Sequence, residues 1–302
     1  MNLNHLRVFH AVSIAPSLTA ASRALQISQP AVSKQLADFE DALGVRLVDR
    51  LRRGVRLTAA GRTLADHAAR IFGIEHVAES ELAAMLGLQR GELAIGASTT
   101  VGSYLVPRVF GELHREHPAV QLELQIGNTA QVHELVRRQE IELGLTEGLV
   151  TEPDLQTRVF GRDDMVAITA PGDPLLEHRR LRAADLAGVR FITRERGSGT
   201  REVIEAAFRE KRLTVEPVMA LGSTEAVKNA VAAGHGIAIV SRLTVGRELA
   251  SGVLVALEID DLEIRRELHL VELRGVTRSP VAARFVELLG VTPRRTKPTR
   301  VR

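Results

Sequence analysis

The spacing of apolar residues changes character once along this chain of 302 residues, and the change falls at Arg90-Gly91. Upstream, apolar side chains recur every three or four residues, the period of a helix. Downstream, short β-prone runs alternate with helical ones. A chain patterned this way builds two different bodies, a small helical one first and a larger α/β one after it. Its length fits two or three domains.

The upstream part is closely punctuated. Leu3, Leu6, Val8, Phe9 and Val12 make one helical stripe, which Pro16-Ser17 ends. A second short helix spans 18–25. Ser28 is a natural N-cap, Pro30 sits in a first turn where a missing N–H costs little, and the third helix stops at Gly44. Two β-prone runs, 45–50 and 55–58, flank the basic turn Arg52-Arg53-Gly54 and predict a hairpin. Thr58 then caps a long helix over about 59–88. Its apolar seam (Leu64, Ala68, Ile71, Ile74, Ala78, Leu82, Met85) needs a partner surface, most simply a second copy of itself.

Charge is unevenly placed. Residues 1–60 carry eight basic and four acidic side chains, and residues 291–302 carry five basic and no acidic ones. The overall charge of +3 therefore hides an acidic middle. A basic head on an acidic body suits a polyanion partner at the head. The last twelve residues are expected to be a basic disordered tail. No run approaches the ~20 apolar residues of a membrane helix. The first residues show no basic stretch followed by an apolar one, so no leader is expected. There are no cysteines, which excludes disulfides and thiol chemistry and fits a cytoplasmic location.

Between Leu18 and Gly61 the order of residue types is Leu-Thr-Ala-Ala-Ser-Arg-Ala-Leu, then Ile27-Ser28-Gln29-Pro30-Ala31-Val32-Ser33-Lys34-Gln35-Leu36, Phe39-Glu40, Leu43-Gly44-Val45-Arg46-Leu47, Asp49-Arg50 and Val55-Arg56-Leu57-Thr58-Ala59-Ala60-Gly61. This resembles the signature of LysR-type transcriptional regulators almost position by position. Val48 departs from it, standing where the family often has an aromatic residue. In a helix-turn-helix the second helix enters the major groove by its N-terminal end. Here that end carries Gln29, Pro30, Ser33 and Lys34. Glutamine can pair with adenine, serine with either base type, and proline can touch a thymine methyl. Arg50, Arg52, Arg53 and Arg56 lie on or beside the wing, suited to phosphate or the minor groove. The resemblance adds Thr19 and Ser28 to this DNA-contacting set. It also implies a homodimer through the long helix and, as in other members, a homotetramer.

In the downstream part, strands at 92–97, 121–126 and 142–146 alternate with helices at 101–116 and 130–140. A similar series starts at Met165, and a strand at 267–273 with a helix at 280–289 closes the fold. Two α/β halves predict a two-lobed, periplasmic-binding-protein-like effector domain. The expected organisation is a winged helix-turn-helix over 1–58, a linker helix over 59–89, lobe I from 90–162 and 266–290, lobe II from 163–265, and the tail from 291–302.

Ligands of doubly wound sheets bind where strand C-termini meet helix N-termini. Four such corners carry hydroxyl or amide side chains: Ser98-Thr99-Thr100, Asn128-Thr129, Gly197-Ser198-Gly199-Thr200-Arg201, and Ser223-Thr224. Each alone is an ordinary N-cap; together they suit a small anion. The two glycines let backbone amides approach a ligand. Arg201 sits in a first turn, where the helix dipole disfavours a cation unless an anion or solvent offsets it. The segments around Ser98, Asn128 and Glu147, and Thr193–Glu202, resemble the branch of sulfite-responsive and cysteine-synthesis regulators, with Calvin-cycle regulators nearby. Glu147 would repel a fully ionised anion but accept a hydrogen bond from hydrogensulfite, so a sulfite-type effector is expected. The alternatives are Glu147 paired with an arginine away from ligand, another effector such as sulfate, O-acetylserine or a phosphorylated metabolite, or a solute-binding receptor.

The ten histidines are scattered without metal-ligand spacing, and no nucleophile elbow or phosphate loop occurs. No cofactor and no catalytic residue is expected.

Overall fold

The computed structural model describes residues 2–50, 55–85, 91–148, 150–178 and 180–290. The chain divides into two compact units, one of residues 1–82 with 137–140, the other of residues 83–136 with 141–302.

The first unit is a helical body with a two-stranded wing. Helices α1 (Leu3–Ile14), α2 (Leu18–Ala24) and α3 (Gln29–Leu43) precede strands β1 (Val48–Arg50) and β2 (Val55–Leu57), and α4 (Ala59–Met85) follows. Ser28 and Gly44 bound α3 as the sequence predicts, and Ser17, expected only to end α1, also caps α2. Ser17 Oγ accepts from the Ala20 N–H, Ser28 Oγ from the Ala31 N–H, and Gly44 closes α3 in the left-handed conformation. One core holds Leu6, Phe9 and Val12 of α1 against Ala21 and against Val32, Leu36 and Phe39 of α3, with Leu47 and Ala68 completing it. Two polar devices tie the wing down. The Glu40 carboxylate accepts the N–H groups of Leu47 (2.6 Å) and Val48 (3.0 Å). Thr58 Oγ1 donates to the Arg46 carbonyl (2.8 Å) and accepts from the Gly61 N–H (3.0 Å), capping α4. Gly61 has no room for a side chain, because a Cβ there would lie 2.0 Å from the Leu47 carbonyl oxygen.

The second unit is built on a mixed sheet. Strand β3 (Glu92–Ser98) runs parallel to β4 (Gln121–Gly127) and β5 (Leu143–Glu147). Beyond β5 come β11 (Arg265–Leu273) and β6 (Leu155–Thr169), antiparallel, and the far half of β6 pairs with β9 (Ala238–Ser241) and β10 (Val255–Leu257). Strands β7 (Phe191–Arg194) and β8 (Pro217–Leu221) form a parallel pair of their own. Helices α5 (Thr99–Tyr104), α6 (Val106–Glu116), α7 (Thr129–Arg137) and α11 (Pro280–Leu288) cover the first lobe, and α8 (Gly199–Glu210), α9 (Thr224–Ala232) and α10 (Gly246–Ser251) the second. Separate apolar clusters serve the two lobes, one around Leu93, Leu143, Leu145 and Phe285, another around Phe191, Ile204, Phe208 and Ile239.

Three departures from the sequence expectation have local causes. The predicted helix 101–116 is two helices, broken at Leu105, because Pro107 has no N–H to continue the ladder. The predicted strand from Met165 begins ten residues earlier, at Leu155, and is one of two strands that run from lobe to lobe. Helix α10 was not expected. The predicted end of the linker helix, 86–89, lies outside the described residues, as do Arg52, Arg53 and the tail.

Where β6 and β11 cross between the lobes, Arg266 faces Asp163 in register. Both side chains are buried, and Arg266 Nε donates to Asp163 Oδ2 at 2.8 Å. The same guanidinium reaches Glu147 at the end of β5, with Nη1 3.0 Å from Oε1. A buried ion is tolerated only when paired and hydrogen-bonded, so this triad is an all-or-none element.

Two substitutions test these contacts. Gly61→Ala should destabilise the first unit by roughly 1–3 kcal/mol through overpacking against the Leu47 backbone, read as a lowered thermal midpoint. Arg266→Met strands two buried carboxylates and should cost about 3–5 kcal/mol in chemical denaturation of the full chain.

Candidate functional site

On α3, one face is committed to the core and the other is open. Val32, Leu36 and Phe39 are buried, while Ser28, Gln29, Pro30 and Lys34 are exposed and Ser33 is half-buried. Thr19 on α2 is exposed as well. On the wing, Arg56 is exposed and forms a 3.3 Å ion pair with Asp49 across β1–β2; Arg50 is the last residue of β1. The exposed first turn of a capped helix, a neighbouring basic strand and an open α2 are the surface features a groove-reading element needs.

In the second unit the four corners are brought together. Ser98 at the end of β3 and Thr200 in the first turn of α8 both donate to the Glu147 carboxylate, Ser98 to Oε2 and Thr200 to Oε1 at 3.0 Å. Arg266 Nη1 donates to Thr200 Oγ1 at 2.7 Å, and Ser241 Oγ donates to Asp163 Oδ1 at 2.9 Å, so the triad joins groups from both lobes. Arg266 Nη2 lies 2.7 Å from Asp163 Oδ2 but is poorly angled for a hydrogen bond. Thr129 Oγ1 donates to the Glu147 carbonyl at 3.0 Å and accepts from the Gly199 N–H at 3.2 Å. The Ala130 N–H donates to the Gly197 carbonyl at 3.1 Å. A Cβ on Gly199 would lie 1.9 Å from the Glu147 carbonyl oxygen, so only glycine permits this apposition. Thr100 and Ser198 are buried beside these groups' corners, and Ser223 Oγ caps α9 through the Ala226 N–H.

The second gathering point is Arg194, the last residue of β7. It is 5 % exposed, and its guanidinium connects three elements. Nη1 donates to Thr224 Oγ1 (3.1 Å) at the start of α9, and Nη2 to Thr99 Oγ1 (3.4 Å) at the start of α5. Nε and Nη2 grip both carboxylate oxygens of Glu195, at 2.8 and 3.0 Å. Burial pushes the Glu195 carboxyl up, and the hydrogen bond and charge of Arg194, helped by the Asn128 side chain, outweigh it and hold the group below the usual carboxylate range. At the same edge Tyr104 Oη donates to Glu225 Oε1 at 3.1 Å. Lys228, buried, is 2.8 Å from Glu225 and 2.6 Å from Glu248. Burial opposes its charge, but those two carboxylates hold the ammonium above its ordinary range.

Two sequence expectations take a different form here. Glu147 does not stand open as a ligand acceptor, since its buried carboxylate is taken by Arg266, Ser98 and Thr200. The helix-dipole mismatch at Arg201 is offset internally, by Glu205 at 2.6 Å and the Arg194 carbonyl at 3.3 Å. Sequence reasoning passed over Arg194, Glu195, Asp163 and Arg266. Arg194 had a signal, standing at a strand C-terminus just before the Gly-Ser-Gly turn. Asp163 and Arg266 had none, because only the pairing of strands 103 residues apart joins them.

Comparison with known proteins agrees with this two-part layout. Residues 3–62 match the bacterial regulatory helix-turn-helix protein model of the lysR family, and residues 86–292 the LysR substrate binding domain. The chain is 34 % identical over 289 residues to the RuBisCO operon transcriptional regulator of Allochromatium vinosum, spanning 96 % of this chain and 95 % of that one. It is 32 % identical over 267 residues to the regulator CysL of Bacillus subtilis, spanning 88 % and 89 %. Among solved structures, a full-length OxyR variant from Pseudomonas aeruginosa superposes with a TM-score of 0.74 over 96 % of this chain and 97 % of that one; at 20 % identity it speaks for the fold alone. The regulatory domain of Synechocystis PCC6803 CcmR in complex with 2-PG has a TM-score of 0.62 and 30 % identity, over 66 % of this chain and 96 % of that one. With both models matched in order and relatives aligned over nearly their full length, the chain belongs to the LysR family of regulators, DNA-binding transcriptional proteins with an effector-binding domain, and is not an enzyme.

Proposed function

We propose that this regulator reads duplex DNA with Gln29, Pro30, Ser33 and Lys34 and answers to a small oxyanion held between the lobes of its effector domain. Thr19, Ser28, Arg50, Arg52, Arg53 and Arg56 supply the sequence-independent grip on phosphate and minor groove. Two chains pair through α4, which leaves Ile74 and Leu82 exposed in the single chain, and pairs assemble into a tetramer as the family resemblance implies. Among the described residues no helix is long and apolar enough to cross a membrane; the chain works in the cytoplasm.

The observation that carries the effector reading is Arg194. A buried guanidinium aimed at two helix N-termini and flanked by Thr99 and Thr224 suits an oxyanion better than a neutral or cationic ligand. Around it Thr129 and Gly199 join the α7 and α8 corners, Gly197 abuts Asn128, Ser223 caps α9 next to Thr224, and Thr100 and Ser198 are buried one residue from Thr99 and Gly199. The ground for preferring hydrogensulfite was an open acceptor at Glu147. With that acceptor occupied, sulfite is one arm of the test and 2-PG, the compound bound to the CcmR domain, is the other. Ligand shifts the balance between lobe arrangements, and with it the way the dimers hold DNA.

The two halves are separable. Ser33→Ala or Lys34→Ala should weaken binding to a duplex selected by the wild-type protein by roughly 5- to 150-fold, as for loss of one base or phosphate contact. Effector affinity measured by calorimetry should stay unchanged. Loss of both functions together would overturn this division. Arg194→Met should reduce affinity for sulfite, sulfate, phosphate or 2-PG, whichever the wild type binds, by at least about tenfold, the loss of one charge-assisted bidentate contact. Unchanged affinity would remove the anion reading.

A further inference from the structure

The face of Arg194 that an oxyanion would use is already taken by the chain itself. Nε and Nη2, the pair of parallel donors that recognises a carboxylate or phosphate edge, are both spent on Glu195 at 2.8 and 3.0 Å. Glu195 thus sits in the fork of a guanidinium whose remaining donors reach Thr99 in one lobe and Thr224 in the other, as a bound anion would. It differs from the rest of the site in exposure. The Arg194 side chain is 6 % accessible and that of Glu195 26 %, so the carboxylate sits on the solvent side and can leave without unpacking a core. The triad carboxylates Glu147 and Asp163 are each tied to Arg266 and buried, whereas Glu195 is partly exposed.

We infer that Glu195 is a resident competitor for the effector's seat, and that the effector binds by displacing it from Arg194. This rests on the oxyanion reading above. Because Glu195 is the next residue in the chain, it competes at a fixed, high effective concentration that no solution anion matches by concentration alone. A successful ligand must offer more than a carboxylate does. A simple carboxylate has two oxygens and can only replace Glu195 contact for contact. A sulfite, sulfate or phosphate group offers at least one further oxygen to the Thr99 and Thr224 hydroxyls and, in its dianionic form, a second negative charge. Glu195 thus sets specificity: it excludes monocarboxylates and admits polyoxygen dianions. Freed on displacement, its carboxylate returns to water at the mouth, which costs little for a group already partly exposed.

The test is calorimetric titration of the full chain with inorganic phosphate, sulfite and acetate at constant ionic strength and pH 7. Glu195→Gln removes the competing charge and should bind phosphate or sulfite about tenfold more tightly than wild type, with acetate gaining measurable binding. Glu195→Asp keeps the charge but shortens the reach, so it should show a smaller gain in the same direction; it also serves if the glutamine variant fails to fold. Equal or weaker anion binding in both variants, with wild-type thermal midpoints, overturns the inference. If Arg194→Met abolishes binding while the Glu195 variants gain nothing, only the competitor role is lost. If no anion binds and Arg194→Met changes nothing, the oxyanion reading falls with it.

Discussion

A single buried guanidinium holds the effector domain's architecture. Arg266 lies on β11 where it passes between lobes, and it is shared between Asp163 on the neighbouring strand and Glu147 at the end of β5. Ser98, Thr200 and Ser241 complete the set from β3, α8 and β9. Six elements, drawn from both lobes, therefore have a polar stake in one network. Such a network is strong when complete and costly when incomplete, because an unpaired ion away from water has nowhere to place its charge. The site at Arg194 is built on that frame: Thr200 fixes the start of α8, Gly199 fits against the Glu147 carbonyl, and Arg201 holds the Arg194 backbone.

The two units were not equally legible in the sequence. In the first, each boundary is marked by a residue with one local job. Ser17 and Ser28 cap, Pro30 sits where no N–H is required, and Gly44 takes the left-handed turn. Local chemistry decided the structure there, so local reading found it. In the second unit the β3–α5 and β4–α7 corners are legible for the same reason, and their hydroxyls, Ser98 and Thr129, both reach Glu147.

What stayed hidden was decided by distant partners. Strand β6 begins with Leu155 and carries Arg158, Arg162, Asp163 and Asp164, a stretch whose charge reads as a loop. It is a strand because Arg266 and Ser241 compensate Asp163 in the fold. Glu147 reads two ways for the same reason, as a ligand acceptor or as an arginine's partner; the second is what the fold holds, and nothing near it in sequence names Arg266. The Arg201 argument was sound as physics, and the fold satisfies it four residues along, with Glu205 rather than with a ligand. The general lesson is that a charge pattern in a sequence poses a neutrality problem, and the sequence alone does not say whether chain or ligand solves it.

The two lobe-crossing strands have a mechanical consequence. Strands β6 and β11 are paired over nine residue positions, from Leu155–Leu273 to Asp164–Arg265. Most of that ladder lies within lobe I, and only Asp163–Arg266 and Asp164–Arg265 sit at the passage between lobes, where sliding would break the pairing and flexing the two-strand ribbon would keep it. The joint therefore has an easy direction and a stiff one. Rotation about the ribbon carries the residues farthest from the pivot through the longest arcs, so the outer helices of the two lobes are where any such flexing is largest.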